Sequence, residues 1–198
     1  FGFTVITKSD RILRDLPLLQ KINEKTKCVV QMTLTTYDED LCRKIEPHVS
    51  TTRQRFEALK QLRDAGIPVI VWLTPILPFI NDTKDNLSGI LDLCIEAGVY
   101  GILCFGMGLT LREGNREYFY KQLDRLFPHL KEAYMQTYQN QYFIESPNNR
   151  DLMRLFAQTC SKNGIVHNNE QLFQYLHTFE EKGAATQLSL WDLSSSVL

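Results

Sequence analysis

Polar residues and glycines follow four apolar segments of the sequence, at the positions where predicted strands end. In chain order they are Lys8 and Ser9, Thr33 and Thr35, Thr74 and Pro75, and Gly106 and Gly108. A lysine amine binds a carboxylate or phosphate as a point charge, and it forms a Schiff base with a carbonyl compound when burial lowers its pKa. Threonine hydroxyls bind polar ligands, and glycines let a ligand approach the backbone. Because the carboxyl ends of parallel strands meet at one edge of a sheet, these residues predict one binding site.

Structural explanations remain open for each of these residues. A lysine also opens surface loops, threonines suit a strand end before a turn, and the G-x-G pattern also makes a tight turn. Glu46 and Arg55 are either a pair near the mouth of the site or a structural ion pair. Asn81 and Asp82 close the loop after the third predicted strand, and we expect them first of all to cap the next helix.

The composition is that of an ordinary globular protein. Of the 198 residues, 43% are hydrophobic and 23% are charged. The net charge of −1 provides no overall basic field that would attract nucleic acid. No window of the sequence approaches the roughly 20 apolar residues of a membrane-spanning helix, so we expect no membrane partner.

The five cysteines are scattered along the chain, at Cys28, Cys42, Cys94, Cys104 and Cys160. No C-x-x-C pair and no histidine spacing of a zinc site occurs. An odd number of separated cysteines is typical of reduced thiols in a cytoplasmic protein. The sequence therefore predicts neither a disulfide framework nor a metal site made from these residues.

The apolar segments predict a parallel sheet. Strands are expected over residues 3–7, 28–34, 68–73 and 100–105, with an amphipathic helix between each pair. Right-handed crossovers then place the helices outside the sheet. We predict an α/β protein, a partial (β/α) TIM-like barrel, in residues 1–138. A helical C-terminal extension and tail follow in residues 139–198.

Five stretches occur in an order that resembles a known superfamily. They are Thr7-Lys8-Ser9, Arg14-Asp15-Leu16, Thr33-Leu34-Thr35-Thr36 with Glu46-Pro47, Arg55-Phe56-x-Ala58-Leu59 with Ala65-Gly66-Ile67, and Pro75-Ile76-Leu77-Pro78-Phe79-Ile80-Asn81-Asp82. Together they resemble the radical S-adenosylmethionine (radical SAM) superfamily, and within it the spore photoproduct lyase-like, or DNA repair photolyase-like, group. The resemblance is strongest over residues 4–110.

The resemblance implies a partial (β/α)₆ barrel whose strand ends hold a [4Fe-4S] cluster and S-adenosylmethionine. The cluster cleaves S-adenosylmethionine to a 5′-deoxyadenosyl radical, which abstracts hydrogen from a substrate. The implied cofactor-binding residues are Lys8 and Ser9 at the methionine carboxylate or ribose, Thr33 and Thr35 in the same pocket, Glu46 and Arg55 in support, and Pro75 and Gly106 nearby. The resemblance also suggests nucleic acid as a partner.

The sequence departs from that family in lacking its C-x-x-x-C-x-x-C cluster motif. It also begins Phe1-Gly2-Phe3, without a methionine and almost inside a strand. We therefore expect a fragment of a longer enzyme, with no catalytic residue and no cofactor of its own. The sheet edge that it exposes is expected to pair in a dimer. Two other functions stay open: a Schiff-base lyase or aldolase that uses Lys8, and a non-catalytic binding domain.

Overall fold

A four-stranded parallel sheet forms the centre of the computed structural model, which describes residues 2–179. The strands lie in the order β1-β2-β3-β4. Their bounds are Phe3–Thr7, Cys28–Thr33, Val69–Trp72 and Gly101–Leu103. Each strand pairs in parallel with the next one along the chain, as sequence neighbours do when every connection crosses over on the same side. The predicted α/β class and its four parallel strands are confirmed.

Helices make up most of the remaining described chain. They are α1 (Leu16–Lys25), α2 (Glu39–Ile45), α3 (Thr52–Asp64), α4 (Lys84–Ala97), α5 (Asn115–Leu126), α6 (Lys131–Tyr138), α7 (Asn149–Lys162) and α8 (Asn169–His177). Short 3₁₀ helices span Asp10–Asp15 and Pro128–Leu130. No helix of the described chain is long and apolar enough to cross a membrane.

Local sequence signals fix the ends of the two central helices. Thr51 begins α3 with a reciprocal capping box, in which its side chain and that of Gln54 each bond the other residue's backbone. Thr83, and not the expected Asn81 or Asp82, caps α4, because its hydroxyl accepts a hydrogen bond from the backbone of Asn86. The expected capping role of the Asn-Asp pair was therefore wrong, and both side chains are buried for other contacts.

The two faces of the sheet are covered by different helices. The larger core joins one face to α1, α3, α4 and α7, with Met32, Phe56, Leu91 and Phe156 among its buried members. On the opposite face, α8 packs Leu172 over the strands. Burial on both faces explains why β2 is apolar along nearly its whole length.

The chain after residue 138 is not purely helical. Residues Phe143–Glu145 form β6, which pairs antiparallel with β5 (Gly108–Thr110). After α7, Val166 makes a parallel bridge to Gly101, so this short segment continues the sheet beside β4. Gly101 suits the bridge because a Cβ there would lie 2.7 Å from the Val166 carbonyl oxygen. The division of the chain at residue 138 stays a prediction. The predicted tail, from Ala184 to the end of the sequence, lies outside the described residues.

Candidate functional site

An ionic network links the end of β1 to the start of α3. Glu46, just after α2, accepts a hydrogen bond from Lys8 Nζ through Oε1 and one from Arg55 Nη2 through Oε2, the latter at 2.7 Å. Arg55 has no exposed surface, while 40% of the Lys8 side chain is accessible. The network therefore has a buried end that holds the structure and an exposed end that can meet a ligand.

Arg55 is also tied to the backbone at two points. Its Nε donates to the carbonyl of Ser50 at 2.7 Å, and its Nη1 donates to the carbonyl of Thr33 at 3.0 Å. The first turn of α3, fixed by its capping box, points Arg55 under the end of β2. Three separate donors thus satisfy three buried or half-buried acceptors, which is the arrangement that makes a buried guanidinium tolerable.

The environment of Glu46 keeps its carboxyl group ionised. Burial alone would raise the pKa of Glu46, but the hydrogen bonds and positive charges of Lys8 and Arg55 outweigh that effect and lower its pKa below the usual value. The site therefore holds a fixed carboxylate between two cations and leaves the ammonium of Lys8 partly accessible.

Asn81 organises the loop between β3 and α4. Its Oδ1 accepts from the backbone of Leu77 at 2.6 Å, and its Nδ2 donates to the carbonyl of Thr35 at 2.9 Å. Asn86 donates to the same carbonyl at 3.0 Å. Two asparagines thereby tie the loop to the end of β2. Asn86 was not among the predicted site residues, because a Thr-x-x-Asn start of a helix gives no signal for such a role.

Asp82 connects this loop to the segment before α7. Its buried carboxylate accepts a hydrogen bond from the Ser146 hydroxyl, and Asn148 Nδ2 donates to its carbonyl at 3.1 Å. Burial raises the pKa of Asp82, and the hydrogen bond from Ser146 only partly offsets the increase. The loop is therefore fixed on both sides.

A cavity of about 390 Å³ opens between this loop, the end of α2, and α5. Four residues of the predicted site line it, namely Lys8, Thr35, Glu46 and Pro75. Thr35 also serves the loop through its carbonyl. The cavity thus lies at the strand ends, where the sequence placed the site.

The other four predicted residues do not line this cavity. Ser9 begins the 3₁₀ helix by accepting from the backbone of Arg11, and Thr33 contributes its carbonyl to Arg55. Arg55 lies behind Glu46 and makes the buried end of the network. Gly106 has a φ of +107°, so it makes the turn after β4. This is the structural explanation given above for the G-x-G pattern.

The cysteines are separate from this cavity. All five are buried free thiols, and burial raises the pKa of Cys28 and Cys104 to about 11 and that of Cys160 to about 12. Buried protonated thiols of this kind are poor metal ligands. Within residues 2–179 no three His, Cys, Asp or Glu side chains are grouped to hold a metal ion, so these residues do not fit a [4Fe-4S] cluster.

Comparisons with known proteins give relatives but no function. No family model matches the chain. An uncharacterized protein of Mycobacterium tuberculosis is 29% identical over 151 residues, which are 76% of this chain and 44% of the relative. An uncharacterized protein of Methanocaldococcus jannaschii is 32% identical over 81 residues, or 41% of this chain and 30% of that one. An uncharacterized protein of Acidianus two-tailed virus is 30% identical over 119 residues, or 59% and 38%. The chain spans less than half the length of these curated relatives.

Proposed function

We propose that this chain is part of a radical SAM enzyme and that it forms the S-adenosylmethionine side of a partial barrel. The observation that carries the proposal is the Lys8–Glu46–Arg55 network, which presents an ammonium at the end of β1 beside the cavity. The parallel order of the strands and the parallel bridge of Val166 beyond β4 support the repeated β/α units of such a barrel.

The donor set at the cavity fits a ligand with a carboxylate. Lys8 gives one hydrogen bond to Glu46, and the two remaining N–H donors of its ammonium are available to a carboxylate such as that of S-adenosylmethionine. Glu46 and Arg55 would hold the ammonium in place. With a reduced cluster, bound S-adenosylmethionine would supply the chemistry that abstracts a hydrogen atom from a substrate.

The proposal concerns a protein longer than this chain. Since residues 2–179 do not fit a cluster, its three cysteine ligands would lie outside them. The relative from Mycobacterium tuberculosis is more than twice as long as the segment that aligns with this chain, so a longer protein of this kind has enough further residues to include such a segment. Nucleic acid as a substrate has only the resemblance in its favour.

The test is the formation of 5′-deoxyadenosine. The gene that encodes this chain should encode C-x-x-x-C-x-x-C upstream of Phe1, and the full-length protein, reconstituted anaerobically with iron and sulfide, should make 5′-deoxyadenosine under reduction. Lys8→Ala should raise the KM for S-adenosylmethionine roughly tenfold or more, because charge-assisted hydrogen bonds are lost. Lys21→Ala, an exposed lysine of α1, is the matched control. An upstream sequence without the motif would overturn the proposal.

A Schiff-base enzyme is the second candidate, because Lys8 lines the cavity. Lys8 is already held in an ion pair with Glu46, and this favours the first proposal. Borohydride reduction with carbonyl compounds separates the two: an adduct on Lys8 supports the Schiff base, and the radical SAM proposal predicts none. A non-catalytic binding domain would be supported by ligand binding without either reaction.

A further inference from the structure

We propose that the cavity beside Lys8 binds a small aromatic molecule that carries one anionic group. The inference rests on the proposed function in taking this ligand to be the substrate, and it adds the ligand's chemical class. The cavity's volume of about 390 Å³ is in the range of small-molecule sites, roughly 300–1,000 Å³.

The buried lining of the cavity is mostly apolar, with Thr35 and Asn81 as its polar members. Leucine, isoleucine and phenylalanine side chains from three separate elements line it, and they include Leu77, Ile80, Leu109, Phe119, Leu123 and Phe127. A ligand that fills this space must therefore present an apolar body, since a buried polar group without a partner costs free energy.

The mouth of the cavity is cationic. Lys8, Lys44 and Arg125 line it, and Glu46 is the one carboxylate among the lining residues. Glu46 is already paired with Lys8 and Arg55. Within the part of the chain that the structure describes, Lys44 and Arg125 have no carboxylate at ion-pair distance. The positive charge is therefore available to a ligand.

An aromatic body suits this mouth better than an aliphatic one. The Lys44 ammonium lies 4.0 Å from the centre of the Phe127 ring, so the cation already rests on an aromatic face. A second ring inserted beside Phe127 would make the same contact with Lys44 and would stack against the lining aromatics. Its anionic group would then lie beside Lys44 and Arg125, and Lys8 would keep the carboxylate of S-adenosylmethionine.

The experiment uses 8-anilinonaphthalene-1-sulfonate, an aromatic anion, and N-phenyl-1-naphthylamine, its uncharged analogue, on the full-length protein. We expect saturable fluorescence with one sulfonate bound per chain, and an affinity about tenfold above that of the neutral analogue. The double variant Lys44→Gln/Arg125→Gln should lose that preference. The double variant Arg43→Gln/Lys121→Gln removes the same charge from α2 and α5 outside the cavity, and it should change affinity by no more than about twofold.

A filling variant separates the cavity from other apolar surfaces, such as the exposed Phe105, which does not line it. Gln122→Trp should abolish binding of both dyes, and Asn115→Trp replaces it if circular dichroism shows that the first variant does not fold. Binding that persists in a folded filling variant, or equal affinity for the two dyes, would overturn the inference. Because the dyes need neither iron nor S-adenosylmethionine, missing 5′-deoxyadenosine with intact dye binding would overturn only the proposed function.

Discussion

Arg55 and Glu46 form an ion pair of 2.7 Å in which the guanidinium is wholly buried and the carboxylate is 14% exposed. The pair joins α3 to the end of α2, and through Thr33 it also reaches the end of β2. Because Glu46 also contacts Lys8, the position of the exposed ammonium depends on a buried residue, Arg55, that does not line the cavity. Arg55 is therefore a positioning residue.

Replacing Arg55 with methionine should lower the free energy of unfolding by on the order of 3–5 kcal/mol, because it leaves the mostly buried Glu46 carboxylate with Lys8 alone and removes the Arg55 donors from two backbone carbonyls. Urea unfolding followed by circular dichroism measures the change. Arg43→Met removes an exposed arginine that pairs with Glu39 and Asp40, and it should stay within about 0.5 kcal/mol of the parent. Equal losses from the two variants would contradict the role of the buried network.

Acid should weaken the fold through Glu46. The pKa of Glu46 is lower in the folded protein than its ordinary value, since Lys8 and Arg55 outweigh the effect of burial. The stabilisation is therefore fully present above the unfolded-state pKa of about 4.3, and it is lost as the pH falls through the lower folded value. Glu46→Gln should flatten this part of the curve of unfolding free energy against pH.

Asp82 provides a control of opposite sign. Burial raises its pKa, so its charged form destabilises the fold at high pH. That penalty is relieved as the pH falls through the raised folded value, and it is gone below the ordinary value of about 3.9. Asp82→Asn keeps an oxygen acceptor for Ser146 and should steepen the loss of stability in acid. If Glu46→Gln and Asp82→Asn changed the loss of stability in acid in the same direction, the opposite pKa shifts of the two carboxyl groups would be wrong.

Loss of the Asn81 side chain should loosen the loop after β3. Asn81→Ala leaves the backbone N–H of Leu77 and the carbonyl of Thr35 short of a partner in a buried setting, and the expected cost is about 1–3 kcal/mol. Hydrogen exchange at the Leu77 amide reports the local change directly. Asn140→Ala, an exposed asparagine after α6, is the control and should leave that amide unchanged.

The parallel sheet and the edge at which the cavity lies could be predicted from the sequence because β2 and β3 are buried on both faces. β3 is therefore a continuous apolar run, and four of the six residues of β2 are apolar. β6 gave no such signal, since only Ile144 of its three residues is buried. α2 was missed for the same reason, as Cys42 is its one buried residue. Short elements with a single core contact show no periodicity.

Only the part of the candidate site that has a local sequence signal could be predicted. Lys8 and Glu46 are charged residues next to strand or helix ends, where a functional role is readily inferred from type and position. Two hydrogen-bond partners of Asn81 are distant in sequence: Thr35 is 46 residues away and Thr36 is 45 residues away. No local pattern encodes these contacts. The cationic mouth could not be predicted from the sequence either, because Lys44 and Arg125 are far apart in the chain and line one cavity only in the folded structure.

Gly108 should be irreplaceable in the pairing of β5 with β6. A Cβ at this position would lie 2.2 Å from the carbonyl oxygen of Ile144, so Gly108→Ala forces the two strands apart. Exchange of the Ser146 amide, which donates to Met107 at 2.7 Å, should become faster. Thr110→Ala, at the exposed end of the same strand, is the control and should leave the Ser146 amide unchanged. Unchanged protection of Ser146 in Gly108→Ala would show that the strands can adjust.

The outer edge of β1 should pair with a second copy of the 198-residue chain. β1 pairs with β2 on one side, and among residues 2–179 no strand pairs with its other side. Ile6 is 56% exposed on this strand, and an open apolar edge favours association. Light scattering should show a dimer that Ile6→Lys converts to a monomer, while Leu18→Lys, an equally exposed apolar position on α1, should not. A parent chain that stays monomeric at high concentration would contradict the prediction.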